Sequence, residues 1–293
     1  MTQRNTTSPV AACGPEITNL RLGCEPARRI IIRFLQDGLR RHGFQRAVIG
    51  LSGGLDSSLV VFLTAAALGA ENVLAVAMPA SASDPASLAG AESIAATTGV
   101  RLETISISPM ADPYLRSLPA RARVRTGNVL ARLRMVVLYD LSARQEALVV
   151  GTSNKTELLL GYTTQFGDSA CALMPMGDLY KTQVRQLARH MGVPEAIIRR
   201  PPSADLWEGQ TDEEELGFTY DLVDRLLFRM VDERIGPDRL LMEGFDPALI
   251  LRVRDMVRRS QYKRCTPPIA KISHRTIGID FRYPRDWDSW AGD

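Results

Sequence analysis

Between residues 25 and 150 the chain alternates short apolar runs with stretches of helix length, and that order leaves few folds open to it. The runs are 47–51, 73–78, 102–107 and 147–150, and the segments 57–68, 84–98 and 124–144 between them read as helices. An amphipathic helix over 25–42 opens the series, with Pro26 in its first turn and Gly43 just past its end. Strands separated by helices predict an α/β fold in three layers, a doubly wound parallel sheet with both faces covered. Crossovers are then right-handed, and ligands bind beyond the carboxyl ends of the strands where the winding reverses. Chemistry is therefore expected after Leu51, Met78, Ile107 and Val150. Beyond Gly151 the pattern turns helical, with helices predicted over 181–191, 212–231 and 247–260. Residues 1–20 read as a flexible N-terminal segment, 21–293 as one domain, and the final thirty residues as an irregular tail pinned by Trp287 and Trp290.

The first strand runs into Leu51-Ser52-Gly53-Gly54-Leu55-Asp56-Ser57-Ser58 and then a helix, so backbone N–H groups and a positive helix end face the same spot. Adjacent glycines let the main chain approach phosphates closely, Ser52 and Ser57 add hydroxyl donors, and Asp56 can hold magnesium between phosphate oxygens. Neither the lysine of the usual ATPase loop nor the three spaced glycines of the dinucleotide fingerprint is present.

The loop instead resembles the SGGxDS loop of the adenylate-forming ATP pyrophosphatases, which cleave ATP to AMP and pyrophosphate. Four further stretches narrow the resemblance: Gly151-Thr152-Ser153-Asn154-Lys155-Thr156-Glu157, Gly167-Asp168, Leu179-Tyr180-Lys181-Thr182 and Pro202-Ser203-Ala204-Asp205-Leu206-Trp207. Together they look like the NAD synthetase family over residues 25–285. The resemblance implies the Rossmann-like fold of the adenine nucleotide α-hydrolases, amidation of deamido-NAD (nicotinic acid adenine dinucleotide), and a homodimer with its dinucleotide site at the subunit interface. It makes Asp56 and Glu157 the magnesium carboxylates. It assigns ATP to Gly50, Leu51, Ser52, Gly53, Gly54, Leu55, Asp56, Ser57, Thr152, Lys181 and Ser203, with Ser203 standing where many members have Thr. Deamido-NAD falls to Arg132, Gln165, Tyr262 and Lys263. Gln165, Ala172 and Tyr262 depart from the family's commonest Lys, Asp and His, all on the acceptor side. Without the resemblance, Lys181 and Arg132 read as solvated helix residues, Glu157 as a first-turn carboxylate favoured by the helix dipole, and the acidic run 205–215 as a solvated face; within it, that run resembles a mobile loop that closes over the reacting groups.

The implied reaction activates a carboxylate as an acyl-adenylate, which ammonia then cleaves. Asp56 and Lys181 are the expected catalytic groups, with Asp168 or Asp205 taking the proton of ammonium. Forty-nine residues before Gly50 are too few for the amidase domain of glutamine-using relatives, so free ammonia or a separate glutaminase partner is expected to supply nitrogen. Thirty-six Lys and Arg against 33 Asp and Glu leave a formal charge of +3, which argues against nucleic acid as a partner. No apolar stretch has the length of a secretion signal core or a membrane span, and Cys13, Cys24, Cys171 and Cys265 form no close pair. A soluble, cytoplasmic enzyme with buried structural thiols is the expectation. Two other readings remain: a ligase of the same superfamily acting on a different carboxylate, and a nucleotide-binding sensor without turnover.

Overall fold

The computed structural model describes residues 20–81, 83–119, 122–203 and 209–280. Asp205, Trp207, Trp287, Trp290 and Cys13 lie outside the described residues. In chain order come α1 (Cys24–Arg41), β1 (Arg46–Gly50), α2 (Leu55–Leu68), β2 (Val73–Ala77), α3 (Pro85–Thr98), β3 (Arg101–Thr104), α4 (Ser108–Leu115), α5 (Arg123–Gln145) and β4 (Ala147–Val149). The mainly helical remainder is α6 (Lys155–Leu160), α7 (Lys181–Met191), α8 (Glu195–Ile198), α9 (Asp212–Leu216), α10 (Tyr220–Leu227), α11 (Pro237–Met242) and α12 (Pro247–Arg259).

The four strands are parallel and lie in the order β3-β2-β1-β4, so the chain winds outward from β1 in one direction and returns to its other side with β4. The crevice between the carboxyl ends of β1 and β4 is thus the topological switch point. Central position dictates composition: every residue of β2 is buried, as are Ala47, Val48 and Ile49 of β1. One apolar layer joins the sheet to α1, α2, α3 and α7 through residues such as Leu35, Leu59, Ile94 and Leu187. A second covers the opposite face with Ile107, Leu130 and Leu141, from the chain before α4 and from α5. A third cluster, including Tyr180, Tyr220, Leu226 and Val253, packs the C-terminal helices together and already includes Leu20.

The helix expected over 212–231 is broken. Gly217 takes φ +74° and closes α9, Thr219 then accepts from Leu222 N at 3.3 Å to start α10, and a π turn over Phe228–Asp232 ends it. The thiol expectation also needs correction, because Cys265 is exposed and Cys24 and Cys171 are only partly buried. Among the described residues no helix is long and apolar enough to cross a membrane.

Candidate active site

The turn after β1 is fixed by glycine. Gly53 has φ +75°, and a Cβ there would meet Ser87 O at 2.1 Å and Ala91 N at 2.9 Å, so the loop lies directly on α3. On the α3 side a Cβ at Gly90 would meet Gly53 O at 2.9 Å. Arg200 braces this seat, donating to Asp84 Oδ2 at 2.8 Å and Ser87 Oγ at 3.1 Å. The N-cap of α2 is Gly54 and has no side-chain cap, so its first-turn N–H groups, which lack intrahelical acceptors, are left for a ligand. The Ser57 hydroxyl is buried, accepts from Ser52 N at 3.2 Å, donates to Gly54 O at 3.2 Å and lies 3.0 Å from Ser52 Oγ. The two hydroxyls stiffen the turn.

A second loop enters from β4. Asn154 and Glu157 form a reciprocal capping box at the start of α6: Glu157 N donates to Asn154 Oδ1 at 3.0 Å and Asn154 N to Glu157 Oε2 at 3.3 Å. Asn154 Nδ2 then reaches across to Asp56 Oδ1 at 2.9 Å, tying the two loops together. Lys181, the first residue of α7, donates to Asp56 Oδ2 and to Glu157 Oε1, the latter at 3.2 Å, and its side chain is 3% exposed. Its Nζ lies 5.0 Å from the centre of the Tyr220 ring, and the Tyr220 hydroxyl donates to Asp212 Oδ2 at 3.1 Å. Tyr162 donates to the other Asp212 oxygen at 3.2 Å.

One ammonium therefore faces three buried or half-buried carboxylates. Burial opposes the charge on Lys181, but Asp56, Glu157 and Asp212 outweigh it and hold the ammonium above its ordinary range. Burial raises the Glu157 carboxyl, Lys181 opposes this, and Asp56 and Asp212 add to the rise. Asp212 is likewise raised by burial, against the pull of Lys181. An excess of hard oxygen charge over a single cation suits a dication that keeps most of its other ligands from phosphate and water. Among the described residues no three His, Cys, Asp or Glu side chains cluster into a metal site of their own.

Behind this centre Asp224 of α10 is fully buried, and burial raises its carboxyl to about 6, with hydrogen bonds from Thr156 and Thr182 opposing. An unfolded Asp titrates near 4, so across the window from about pH 4 to 6 the folded chain keeps a proton the unfolded chain has released. Stability from this group is complete below the window and falls by roughly 3 kcal/mol as pH rises through it. Asp224→Asn should flatten that slope, read as urea unfolding on either side of the window.

The acceptor-side candidates gather on a different segment, 161–168. Arg132 of α5 donates from Nε and Nη2 to Gln165 O, each at 3.3 Å. Lys263 Nζ donates to Gly161 O and Thr163 O, both at 2.7 Å, and Asp168 Oδ1 accepts from Thr164 N at 2.7 Å. Asp168 is nearly enclosed, and burial raises its carboxyl. Thr152 is half-buried, while Tyr262 is exposed and Ser203 lies exposed beside residues 204–208. Tyr220, Asp224 and Gly90 have no expectation attached in the sequence; Asn154 sits within the 151–157 stretch and Asp212 within the acidic run, neither with a role of its own. Only Asn154 carried a local signal, an Asn three residues before a Glu at a helix start.

The family model described as NAD synthase matches residues 28–267. This chain belongs to the NAD synthase family. It is 54% identical to the NH(3)-dependent NAD(+) synthetase of Chlorobium phaeovibrioides, over 93% of this chain and 98% of that one. Among solved structures, the NH3-dependent NAD synthetase of Campylobacter jejuni matches with TM-score 0.72 and 34% identity over 85% of this chain and all of its own. The NMN synthetase of Francisella tularensis matches with TM-score 0.76 and 30% identity over 86% of this chain and all of its own. The fold is that of the adenine nucleotide α-hydrolases, with its parallel sheet in the order β3-β2-β1-β4.

Proposed function

We propose that this chain makes NAD by amidating the nicotinate carboxylate of deamido-NAD, with ammonia as nitrogen donor and ATP cleaved to AMP and pyrophosphate. The observation that carries the reading is the meeting of Lys181 with Asp56 and Glu157 at the carboxyl ends of β1 and β4, beside a helix start with no side-chain cap. A carboxylate resists ammonia because oxide leaves poorly. Its oxygen therefore attacks the α-phosphorus, the bond to pyrophosphate breaks, and ammonia displaces AMP from the acyl carbon while its surplus proton passes to a carboxylate. Lys181 supplies positive charge to the departing pyrophosphate, and the first-turn N–H groups of α2 hold the phosphates in place. Asp56 and Glu157 would hold magnesium, which would supply charge neutralisation at the phosphates. Arg132 and Lys263 serve the acceptor's anionic groups, together with Gln165 and Tyr262, and Thr152 and Ser203 line the nucleotide. Asp168, kept basic by burial, takes the proton, or Asp205 does so in its stead.

Supplying ATP, magnesium, ammonium and deamido-NAD should yield NAD and AMP in equal amounts; ADP in place of AMP would overturn the mechanism. Because one matching structure is an NMN synthetase, nicotinate mononucleotide belongs beside deamido-NAD as a competing acceptor, and preference for it would move the reading to a smaller substrate.

Glutamine in place of ammonium should give no NAD unless a separate glutaminase is added. Burial raises the Cys171 thiol, the reverse of what a glutaminase nucleophile needs. The homodimer reading is supported by Met110 and Tyr114 of α4 and Val136 and Tyr139 of α5, all exposed on neighbouring helices. Sedimentation at working concentration tests it.

A further inference from the structure

The two charged groups that meet at the switch point ride on the first turns of two helices, α6 and α7. A helix of six residues such as α6 has little stability of its own, so its orientation rests on tertiary ties. One tie is a backbone bond from Lys155 N to Leu179 O at 2.8 Å. Another is a buried side-chain relay. Thr156 Oγ1, next to Glu157, donates to Asp224 Oδ1 at 2.6 Å and accepts from Lys181 N at 3.0 Å. Asp224 Oδ2 accepts from Thr182 N at 2.8 Å. A single carboxylate on α10 thus receives a hydroxyl from one helix start and an N–H from the other, which both helix dipoles favour.

We propose that Thr156 and Asp224 are positioning residues that set the spacing between the Glu157 carboxylate and the Lys181 ammonium, and so tune how the site takes magnesium-bound ATP. The inference rests on the reading above, in which those two groups receive the nucleotide and its metal. Thr156 and Asp224 are both fully buried, so they act through the residue beside or above them. Without the Thr156 hydroxyl, Lys181 N loses its acceptor and Asp224 one of its two donors. The α7 start is then free to shift against α6.

The test compares Thr156→Val, which keeps the volume and loses the hydroxyl, with Thr156→Ser, which keeps the hydroxyl. Misplacement of a reacting group by about 1 Å costs on the order of 100-fold, so Thr156→Val should lose roughly 10- to 100-fold in kcat. KM for deamido-NAD should stay close to that of the unaltered chain. The magnesium concentration giving half activity should rise, and Thr156→Ser should restore both quantities. Val223→Ala, a buried apolar change on the same helix as Asp224, controls for mere loss of stability; it should lower the urea midpoint and leave kcat and the magnesium midpoint alone.

Calorimetric binding of ATP with and without magnesium gives a readout that does not depend on turnover. There, Thr156→Val should weaken the magnesium-dependent part and Thr156→Ser should not. The proposal is overturned if Thr156→Val matches the unaltered chain in magnesium midpoint and nucleotide affinity, if Thr156→Ser fails as badly, or if Val223→Ala shifts the same quantities. Failure of the unaltered chain to form NAD would instead count against the functional reading, and the calorimetric comparison would still decide the role of the relay.

Discussion

Lys181→Met should abolish measurable NAD formation and, at the same time, destabilise the ligand-free protein. Removing one partner of a buried ion pair strands the other, at a cost of about 3–5 kcal/mol. Here the stranded partners are Asp56 and Glu157, with Asp212 close enough to add its repulsion. Turnover should fall by about 100-fold or more, as when a preorganised cationic group facing developing charge is removed. The two losses separate on addition of magnesium without nucleotide. A dication between Asp56 and Glu157 should recover part of the stability, because it replaces the missing charge, but none of the turnover. Urea unfolding with and without magnesium, run beside the NAD assay, reads both. A variant as stable and as active as the parent would remove Lys181 from the centre of the site.

Gly90→Ala should weaken ATP binding by about tenfold or more, equivalent to about 1.4 kcal/mol. In an exposed helix interior the same change gains close to 1 kcal/mol, since alanine is the better helix former. At this position the new methyl meets Gly53 O at 2.9 Å and Gly53 Cα at 3.2 Å, so the helix gains while the loop above it is pushed off its seat. A loss of nucleotide affinity larger than the modest net change in thermal stability is what distinguishes this from general damage. Gly53→Ala should be worse on both counts, because it adds an unfavourable positive φ to a 2.1 Å clash with Ser87 O. Calorimetry of ATP binding beside thermal unfolding checks the pair; full ATP affinity in Gly90→Ala would mean that the loop does not depend on α3.

The sheet was legible because its signals are local. Residues 47–51, 73–78 and 147–150 are apolar runs flanked by helical periodicity, and they match β1, β2 and β4 to within a residue or so. Chemistry was expected after four strand ends, and the charged centre uses two of them, the ends of β1 and β4, since only there does the winding reverse. The glycine turn was readable for the same local reason: Gly53, Gly54 and Asp56 fall within four residues of one another.

Lys181 is the counterexample. Taken alone its letters read as a solvated helix residue, yet its side chain is almost wholly enclosed, because its partners lie 125 and 24 residues away. Asp212, Tyr220 and Asp224 were hidden more deeply, within a stretch read as one helix. Gly217 breaks that stretch, and the break is what turns Asp212 and Tyr220 toward Lys181. On the acceptor side, Arg132 and Gln165 do meet, but through a main-chain oxygen, a contact to which the identity of residue 165 contributes nothing.

The switch-point geometry also orders events as the chain emerges and folds. Asp56 meets Asn154 across 98 residues and Lys181 across 125, and β4 follows three strands and five helices in the chain. Loop closure over such separations is slow relative to forming the nearby βαβ unit. The glycine turn is thus assembled long before its acidic and basic partners arrive, and a nascent or truncated chain that has built β1 through β3 carries a half-made cradle. Competence to grip a triphosphate becomes a late, all-or-none event of maturation, and a metal-dependent rise in nucleotide affinity during refolding should lag behind recovery of helix content.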